Sequence, residues 1–402
     1  MLCSAVIVVA LGLSRWNTRL RRDICDMAQD IKGQINRMLD TLARNAEAYD
    51  KAIDAQGEVF HGRADHPLLL LSGESAAEFD DYPRFTPRQI HYDSEKMLHS
   101  ELLNALTAQS GGMCAVPSVR ANMGCGIVPA LLGAKQELFD DKMPWLLNHL
   151  PKGLLAEMTP SDVTITPEFQ VALDHMEYMA AACADYGVRV YPVDIQGAFD
   201  TAHLLLGDPI FYEMYDDPDF VHHLLDLSCV AIKLAFDECI RRIPEADRAV
   251  CHYNALAMPH DLGGVKLSED TSTLLGAEHI EEFVKPYLHR TLAECGGGYV
   301  HYCGKNNILY QAVLDEPLAY GMNLGNPEKH SMERVIADCA VRKKVYYGNA
   351  AHMSGEARDS FFRRMAVASV HEGRSYLLLT YSCATAEHGE CVRDWQRAIS
   401  AI

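Results

Sequence analysis

Basic residues are scarce in this sequence. The chain has 36 lysines and arginines against 55 aspartates and glutamates, a formal net charge of −19 at pH 7. Nucleic-acid binding needs a positively charged face, so we predict no such partner. A long apolar run is also missing, because the N-terminal stretch MLCSAVIVVALGLSRW offers only about a dozen apolar residues, too few to span a bilayer. Its basic residues follow the run, unlike those of a signal peptide, and we predict no membrane association.

Glycine-rich nucleotide motifs are absent too, since neither GxGxxG nor GxxxxGK[ST] occurs, which disfavours a nucleotide-binding fold. The 13 cysteines are odd in number and scattered over 402 residues, so they form no small-domain disulfide framework. Such a set is typical of reduced thiols, and we predict a cytoplasmic location. Hydrophobic residues make up 49% of the chain and predict a large packed core.

Two patterns divide the chain. Residues 17–55 have a helical apolar period without proline, which predicts an N-terminal helical extension over residues 1–60. From 61 to 402, strand-like runs alternate with helix-like segments, and this alternation indicates a parallel sheet covered on both faces. We predict an α/β fold there, a (β/α)8 TIM barrel. The clearest strand-like runs are RVYPVDI (189–195), RAVCHYN (248–254), GYVHYC (298–303), AYGMNL (319–324), KVYYGNA (344–350) and SYLLLTYS (375–382).

The stretch GGGYVHYCGKNN (296–307) holds a candidate metal site. His301 and Cys303 are two residues apart at a predicted strand end, so their side chains point the same way. Barrel active sites lie at the C-terminal ends of the strands. Cys383 directly follows SYLLLTYS at the same mouth and completes a His-Cys-Cys set, which suits Zn²⁺. We predict these three as catalytic zinc ligands, although 13 cysteines and 18 histidines also produce such a spacing by chance.

Other predicted strand ends carry polar residues that could face the same pocket. We predict that substrate is bound by Asp194, His252, Asn323 and Asn349. Taken singly, a residue of this kind is more often an ordinary strand-end or turn residue than a binding residue. Rival metal ligands near the last predicted helix are Glu387, His388 and Cys391, which rank below Cys383 because they lie on that helix.

Several longer segments resemble the uroporphyrinogen decarboxylase superfamily. In SEDTSTLLGAEHIEEFVKPYLHRTLAECGGGYVHYCGK (268–305), an acidic loop and a helix containing Pro-Tyr lead into a strand ending in His-x-Cys-Gly. The similarity spans 90–402 and is strongest after residue 190. The Arg-rich RQAGRY segment of true decarboxylases is missing, and RANMGCG (120–126) matches it poorly. The superfamily's zinc-dependent methyltransferases carry His-x-Cys and a distant single cysteine, a pattern that His301, Cys303 and Cys383 match.

The resemblance implies a zinc-containing methyltransferase. Such an enzyme moves a methyl group between the cobalt of a small corrinoid (cobalamin) protein and a thiol, a folate or a methylated small molecule. The sequence CATAEHGECVRDW (383–395) departs from the usual residues after the third cysteine, so the substrate stays open. The direction of transfer and the oligomeric state also stay open, and a homodimer is compatible with the sequence.

Three alternatives remain at this point. A metal-free decarboxylase would need an arginine cluster at the barrel mouth. A corrinoid-independent transfer to homocysteine, as in methionine synthases, would need a glutamate ligand near Gly325 and Glu328. A non-catalytic, zinc-containing corrinoid-binding module would have a closed site, with Cys391 or His388 as the fourth ligand.

Overall fold

The structure is a computed structural model that describes residues 30–74, 77–111, 114–400 and 402. The apolar N-terminal stretch and the first part of the predicted helical extension lie outside these residues. The helices are 30–43 (α1), Ala46–Phe60 (α2), Pro87–Ile90 (α3), Ser94–Gly111 (α4), Lys152–Glu157 (α5), Pro167–Cys183 (α6), Ala198–Leu206 (α7), Ile210–Asp216 (α8), Pro218–Ile240 (α9), Ala277–His279 (α10), Lys285–Glu294 (α11), Asn307–Asp315 (α12), Met332–Val341 (α13), Arg358–Ala368 (α14) and His388–Ile399 (α15). A π-helical turn joins α10 to α11. No described helix has both the length and the apolar character needed to cross a membrane.

The strands are Leu68–Ser72 (β1), Ser118–Val119 (β2), Arg189–Val190 (β3), Ala249–His252 (β4), Leu256–Pro259 (β5), Val265–Ser268 (β6), Gly298–Tyr302 (β7), Ala319–Leu324 (β8), Val345–Gly348 (β9), Val370–His371 (β10), Arg374–Ser375 (β11) and Leu377–Ser382 (β12). Six of them form a parallel sheet in the order β1-β12-β9-β8-β7-β6. The pair β2–β3 is also parallel, and a bridge between Gln196 and Ser268 joins the segment after β3 to β6. The predicted α/β class is confirmed. Within the described ranges, no strand pairing joins β1 to β2.

Both faces of the parallel sheet are buried, against different partners. Val300 and Tyr302 of β7 pack in the large core beneath the helices, whereas Tyr299 packs in a smaller cluster on the opposite face. That inner cluster also contains side chains of β1, β9 and β12. Because residues two apart on a strand share a face, His301 and Cys303 lie on the inner side with Tyr299.

The prediction of strict strand–helix alternation is wrong at RAVCHYN. β4 does not join the parallel sheet but pairs antiparallel with β5. This hairpin covers part of the inner face, where its Leu256 and Met258 pack against Tyr299. The parallel strand of this region is the four-residue β6, which the sequence analysis did not identify. An inner face with large apolar side chains must be covered, and the hairpin provides that cover.

The N-terminal helices pack against the rest of the chain, α1 in the large core and α2 in the smaller clusters. The predicted helix over 17–55 is broken by a turn at residues 44–45, and α2 continues to Phe60. Ile35, Met38, Leu39 and Leu42 of α1 are fully buried in the large core. In α2, the Gln56 side chain donates to Ala255 O at 3.0 Å and accepts from Ala257 N at 2.8 Å, which fixes the hairpin. A domain boundary at residue 60 stays a prediction.

Candidate metal centre

Three potential metal ligands meet at the C-terminal ends of β6 and β7. One ligand atom from each of Asp270, His301 and Cys303 lies within 4.8 Å of the others. His301 Nε2 is 3.5 Å from Cys303 Sγ and 3.7 Å from Asp270 Oδ1. In the sheet, Ser268 of β6 lies opposite His301, so Asp270, two residues later, arrives beside Cys303. The structure therefore brings two of the three predicted ligands together and adds Asp270, which sequence reasoning missed.

Asn323 holds the imidazole of His301 in a defined orientation. His301 Nδ1–H donates to Asn323 Oδ1, and Asn323 Nδ2 donates to Tyr347 O. The lone pair of Nε2 then points toward Cys303 and Asp270. Histidine ligands of metals commonly have their second nitrogen fixed in this way. Asn323, predicted to bind substrate, thus has a contact that orients a ligand.

Gly325 leaves room for the cysteine. A Cβ atom at this position would lie 2.4 Å from Cys303 Sγ and 3.2 Å from His301 Cε1. Any larger residue would displace the thiol, so the close approach requires glycine. The neighbouring Glu328 is exposed and accepts a hydrogen bond from Asn326, and it is not among the three clustered donors. The glutamate ligand of the homocysteine alternative therefore has no counterpart in this group.

The protonation states of the group suit a metal ion of intermediate softness, such as Zn²⁺. Burial lowers the pKa of His301, assisted by the positive charge of Lys266, so the ring is neutral and able to ligate at pH 7. Burial and the nearby Asp270 raise the pKa of Cys303 to about 11, so without a cation the thiol keeps its proton. One imidazole nitrogen, one sulfur and one carboxylate oxygen form a donor set that fits Zn²⁺.

Cys383 is not a member of this donor group. Its backbone N–H donates to Ser72 O at 3.3 Å, and its side chain lies near that of Cys391. β12, which precedes Cys383, is separated from β7 in the sheet by β9 and β8. Of the rival ligands, Cys391 is buried and Glu387 lies 3.9 Å from Arg358. None of these residues belongs to the described group of three donors.

Two adjoining cavities open beside the donor group. The larger has a volume of about 880 Å³ and the smaller about 530 Å³, and His301 lines both. The predicted substrate-binding residues are distributed between them: Asn349 lines the larger, Asp194 and His252 the smaller, and Asn323 both. The space is of the size that small-molecule sites have.

A buried charge network lies in the cavity wall. Asp194 accepts a hydrogen bond from Lys266 Nζ at 2.7 Å, and Arg120 Nη1 is 3.8 Å from the same oxygen. Burial opposes ionisation of Asp194, but the charges of Lys266 and Arg120 outweigh it and hold its pKa well below the usual range. Asp194 therefore stays ionised next to two cations. Sequence reasoning selected Asp194 but neither of its partners.

His252 is tied to the backbone. Burial lowers its pKa to about 3, so the ring is neutral, and its Nε2 is 2.7 Å from Gly264 O. A neutral ring nitrogen facing a carbonyl must be the N–H donor. The hydrogen bond joins the hairpin to the residue before β6, so this side of the ring is unavailable to a ligand.

Comparisons with known proteins bear on the fold. No family model and no curated protein matches this chain. A solved structure of a methyltransferase from Methanosarcina mazei is similar, with a TM-score of 0.60 and 14% sequence identity. The similarity covers 85% of this chain and 97% of that chain. At this identity it shows that the two chains share a fold.

Proposed function

We propose that the protein is a zinc-dependent methyltransferase that moves a methyl group between the corrinoid of a partner protein and a small molecule. The observation that carries this proposal is the Asp270–His301–Cys303 group, whose imidazole is oriented by Asn323 in the wall of an open cavity. The fold shared with a methyltransferase is consistent with it.

We also infer that the parallel strands form a closed (β/α)8 barrel built from β1, β2, β3, β6, β7, β8, β9 and β12. Two observations support this. The spatial order of these strands follows their order along the chain. The inner cluster contains side chains of both β1 and β7, which lie four places apart in the strand order and would be far apart in an open flat sheet.

His301 and Cys303 would be the two constant protein ligands. Zinc, when bound, supplies Lewis acidity to the thiol or to the heteroatom that carries the methyl group. Asp270 stands in position as the third ligand, while the resemblance to the superfamily implies Cys383. A catalytic zinc site has three protein ligands and one open position. Asp270 and Cys383 are therefore alternative third ligands.

Metal analysis tests the ligand set. Zinc is expected near one equivalent per chain, and Cys303→Ala should lose it while keeping the circular dichroism of the unchanged protein. If Asp270 is the third ligand, Asp270→Asn weakens zinc binding and Cys383→Ser does not; the reverse result assigns Cys383. Full zinc occupancy in Cys303→Ala would remove the proposed centre.

A corrinoid partner would dock at the end of the sheet where the cavities open. Exposed apolar side chains surround this end: Trp145 lines the smaller cavity, Leu274 follows β6 and Met353 follows β9. Purified protein is therefore expected to demethylate methylcobalamin in the presence of one member of a panel of thiols and folates. No turnover with that panel, nor with methylated donors and cob(I)alamin, would contradict the methyltransferase proposal.

Decarboxylation is the second candidate, and Arg120 and Lys266 favour it. Both cations line the smaller cavity and could bind substrate carboxylates. If the protein is such a decarboxylase, it should release CO₂ from a tetrapyrrole carboxylate even after a chelator has removed all metal. The non-catalytic module has less support, because neither Cys391 nor His388 lies in the described donor group.

A further inference from the structure

Asp200 is a buried carboxylate that makes two hydrogen bonds to the loop carrying Asp270. It lies in the first turn of α7 and is 4% exposed. Its Oδ2 accepts the backbone N–H of Asp270 at 2.7 Å, and its Oδ1 accepts that of Thr271 at 2.8 Å. One carboxylate thus fixes two consecutive peptide groups of a segment seventy residues away in sequence.

The loop fixed in this way aims Asp270 at the other two ligands. The Asp270 carboxylate accepts the backbone N–H of Cys303, and its Oδ1 lies 3.7 Å from His301 Nε2. Asp270 also begins the short helical turn Thr271–Leu274, within which Thr273 Oγ1 donates to Asp270 O at 2.6 Å. The backbone of Asp270 is therefore held from two sides while its side chain faces the donor group.

The start of α7 is shaped to receive this loop. Gly197 N donates to Ser268 O at 2.7 Å. A Cβ atom at Gly197 would lie 1.9 Å from Glu269 Oε1, so no larger residue fits there. Glu269 in turn accepts a hydrogen bond from Ser272 Oγ at 2.7 Å. The contact between α7 and the loop is close on both sides of Asp270.

We propose that Asp200 is a positioning residue of the metal centre, which clamps the backbone of Asp270 and Thr271 and so presents Asp270 as an oxygen ligand beside His301 and Cys303. This inference rests on the proposed zinc site. Asp200 touches neither the metal nor a substrate and acts through Asp270.

The test uses the full chain and Co²⁺, whose visible absorption reports the donors around it. Asp200→Asn keeps the size of the side chain but can accept only one of the two N–H groups. The dissociation constant of Co²⁺ is expected to rise about 10–100-fold, as for other residues that orient ligands. The absorption bands should shift toward those of Asp270→Asn.

Glu316→Gln is the matched control. Glu316 is also a buried carboxylate that accepts a backbone N–H, from Leu318 at 3.0 Å, but it precedes β8, at the opposite end of the sheet. Its substitution should leave the Co²⁺ affinity and spectrum unchanged. If Asp200→Asn lowers thermal stability as the control does, yet keeps the spectrum and affinity of the unchanged protein, the residue is merely structural and the proposal is refuted.

Hydrogen exchange separates failure of this inference from failure of the metal centre. In metal-free protein, peptides covering residues 269–275 should exchange faster in Asp200→Asn than in the unchanged chain. Unaltered exchange there refutes the clamp, whatever the metal does. If exchange is faster in Asp200→Asn but the unchanged protein binds no Co²⁺, the zinc site is refuted. The role of Asp200 in presenting a ligand is then refuted with it.

Discussion

Replacement of Asn323 by alanine should weaken zinc binding without unfolding the protein. The substitution removes the acceptor of His301 Nδ1–H and the donor to Tyr347 O. The imidazole can then rotate or change tautomer, and its Nε2 lone pair is no longer held toward Cys303. Partners of this kind are worth about 10–100-fold in metal affinity, equivalent to about 1.4–2.7 kcal/mol.

The effect on stability should be of similar size. A polar group left without its partner costs about 1–3 kcal/mol when fully buried. Because His301 retains some contact with solvent, we expect a loss of about 1–2 kcal/mol in the free energy of unfolding of Asn323→Ala. Asn323→Asp keeps an acceptor for Nδ1–H and should recover most of the zinc affinity, although its second oxygen then faces Tyr347 O.

Competition with a chromogenic chelator measures the zinc affinity, and denaturant unfolding measures the stability. Asn349→Ala is the matched control, because Asn349 lines the same cavity. Its hydrogen bond from Tyr346 Oη goes to the backbone oxygen, which the substitution keeps. A zinc affinity of Asn323→Ala within twofold of the unchanged protein would show that the orientation of His301 does not matter, and the reasoning would fail.

Two further predictions concern sterics and pH. Gly325→Ala should lose zinc, because the new Cβ would lie 2.4 Å from Cys303 Sγ. The control Gly276→Ala should keep zinc, because no atom lies within 4 Å of a Cβ at that position. Equal zinc contents in the two variants would contradict the steric argument. His252 has a folded pKa of about 3 against 6.5 unfolded, so the unfolded chain binds the extra proton and stability is lost as pH falls from about 6.5 toward 3. Between pH 8 and pH 5, His252 should account for a loss of about 2 kcal/mol in the free energy of unfolding. His252→Gln can still donate to Gly264 O, and this part of the pH dependence should be absent when its unfolding by urea is measured. An unchanged pH dependence would rule out His252 as the source.

Local patterns in the sequence predicted the parts of the fold that depend on local geometry. The runs that become β7, β8, β9 and β12 are apolar on both faces, as buried parallel strands must be, and their strand assignments are confirmed. The shared face of His301 and Cys303 also follows from strand geometry alone, because side chains alternate with a period of two residues. No knowledge of neighbouring strands is needed for either conclusion.

Features that join distant segments could not be predicted in this way. β6 is only four residues long, and its position between β3 and β7 is decided by pairing with Gln196 and β7. The hairpin β4–β5 resembles one more parallel strand until the inner face that it covers is known. Asp270 could not be identified as a candidate ligand from the sequence, because an aspartate in an acidic loop is common. Only the position of the loop beside β7 distinguishes it.

The amino-acid sequence by itself determined the α/β class, the strands β7, β8, β9 and β12 and the pairing of His301 with Cys303, because these depend on the periodicity of neighbouring residues. Tertiary structure alone decided which third side chain stands beside them. In the structure Asp270 reaches them from the adjacent strand, while Cys383 lies with Cys391 at the end of a strand three places away. Distances between segments far apart in sequence depend on the order and packing of all the strands between them.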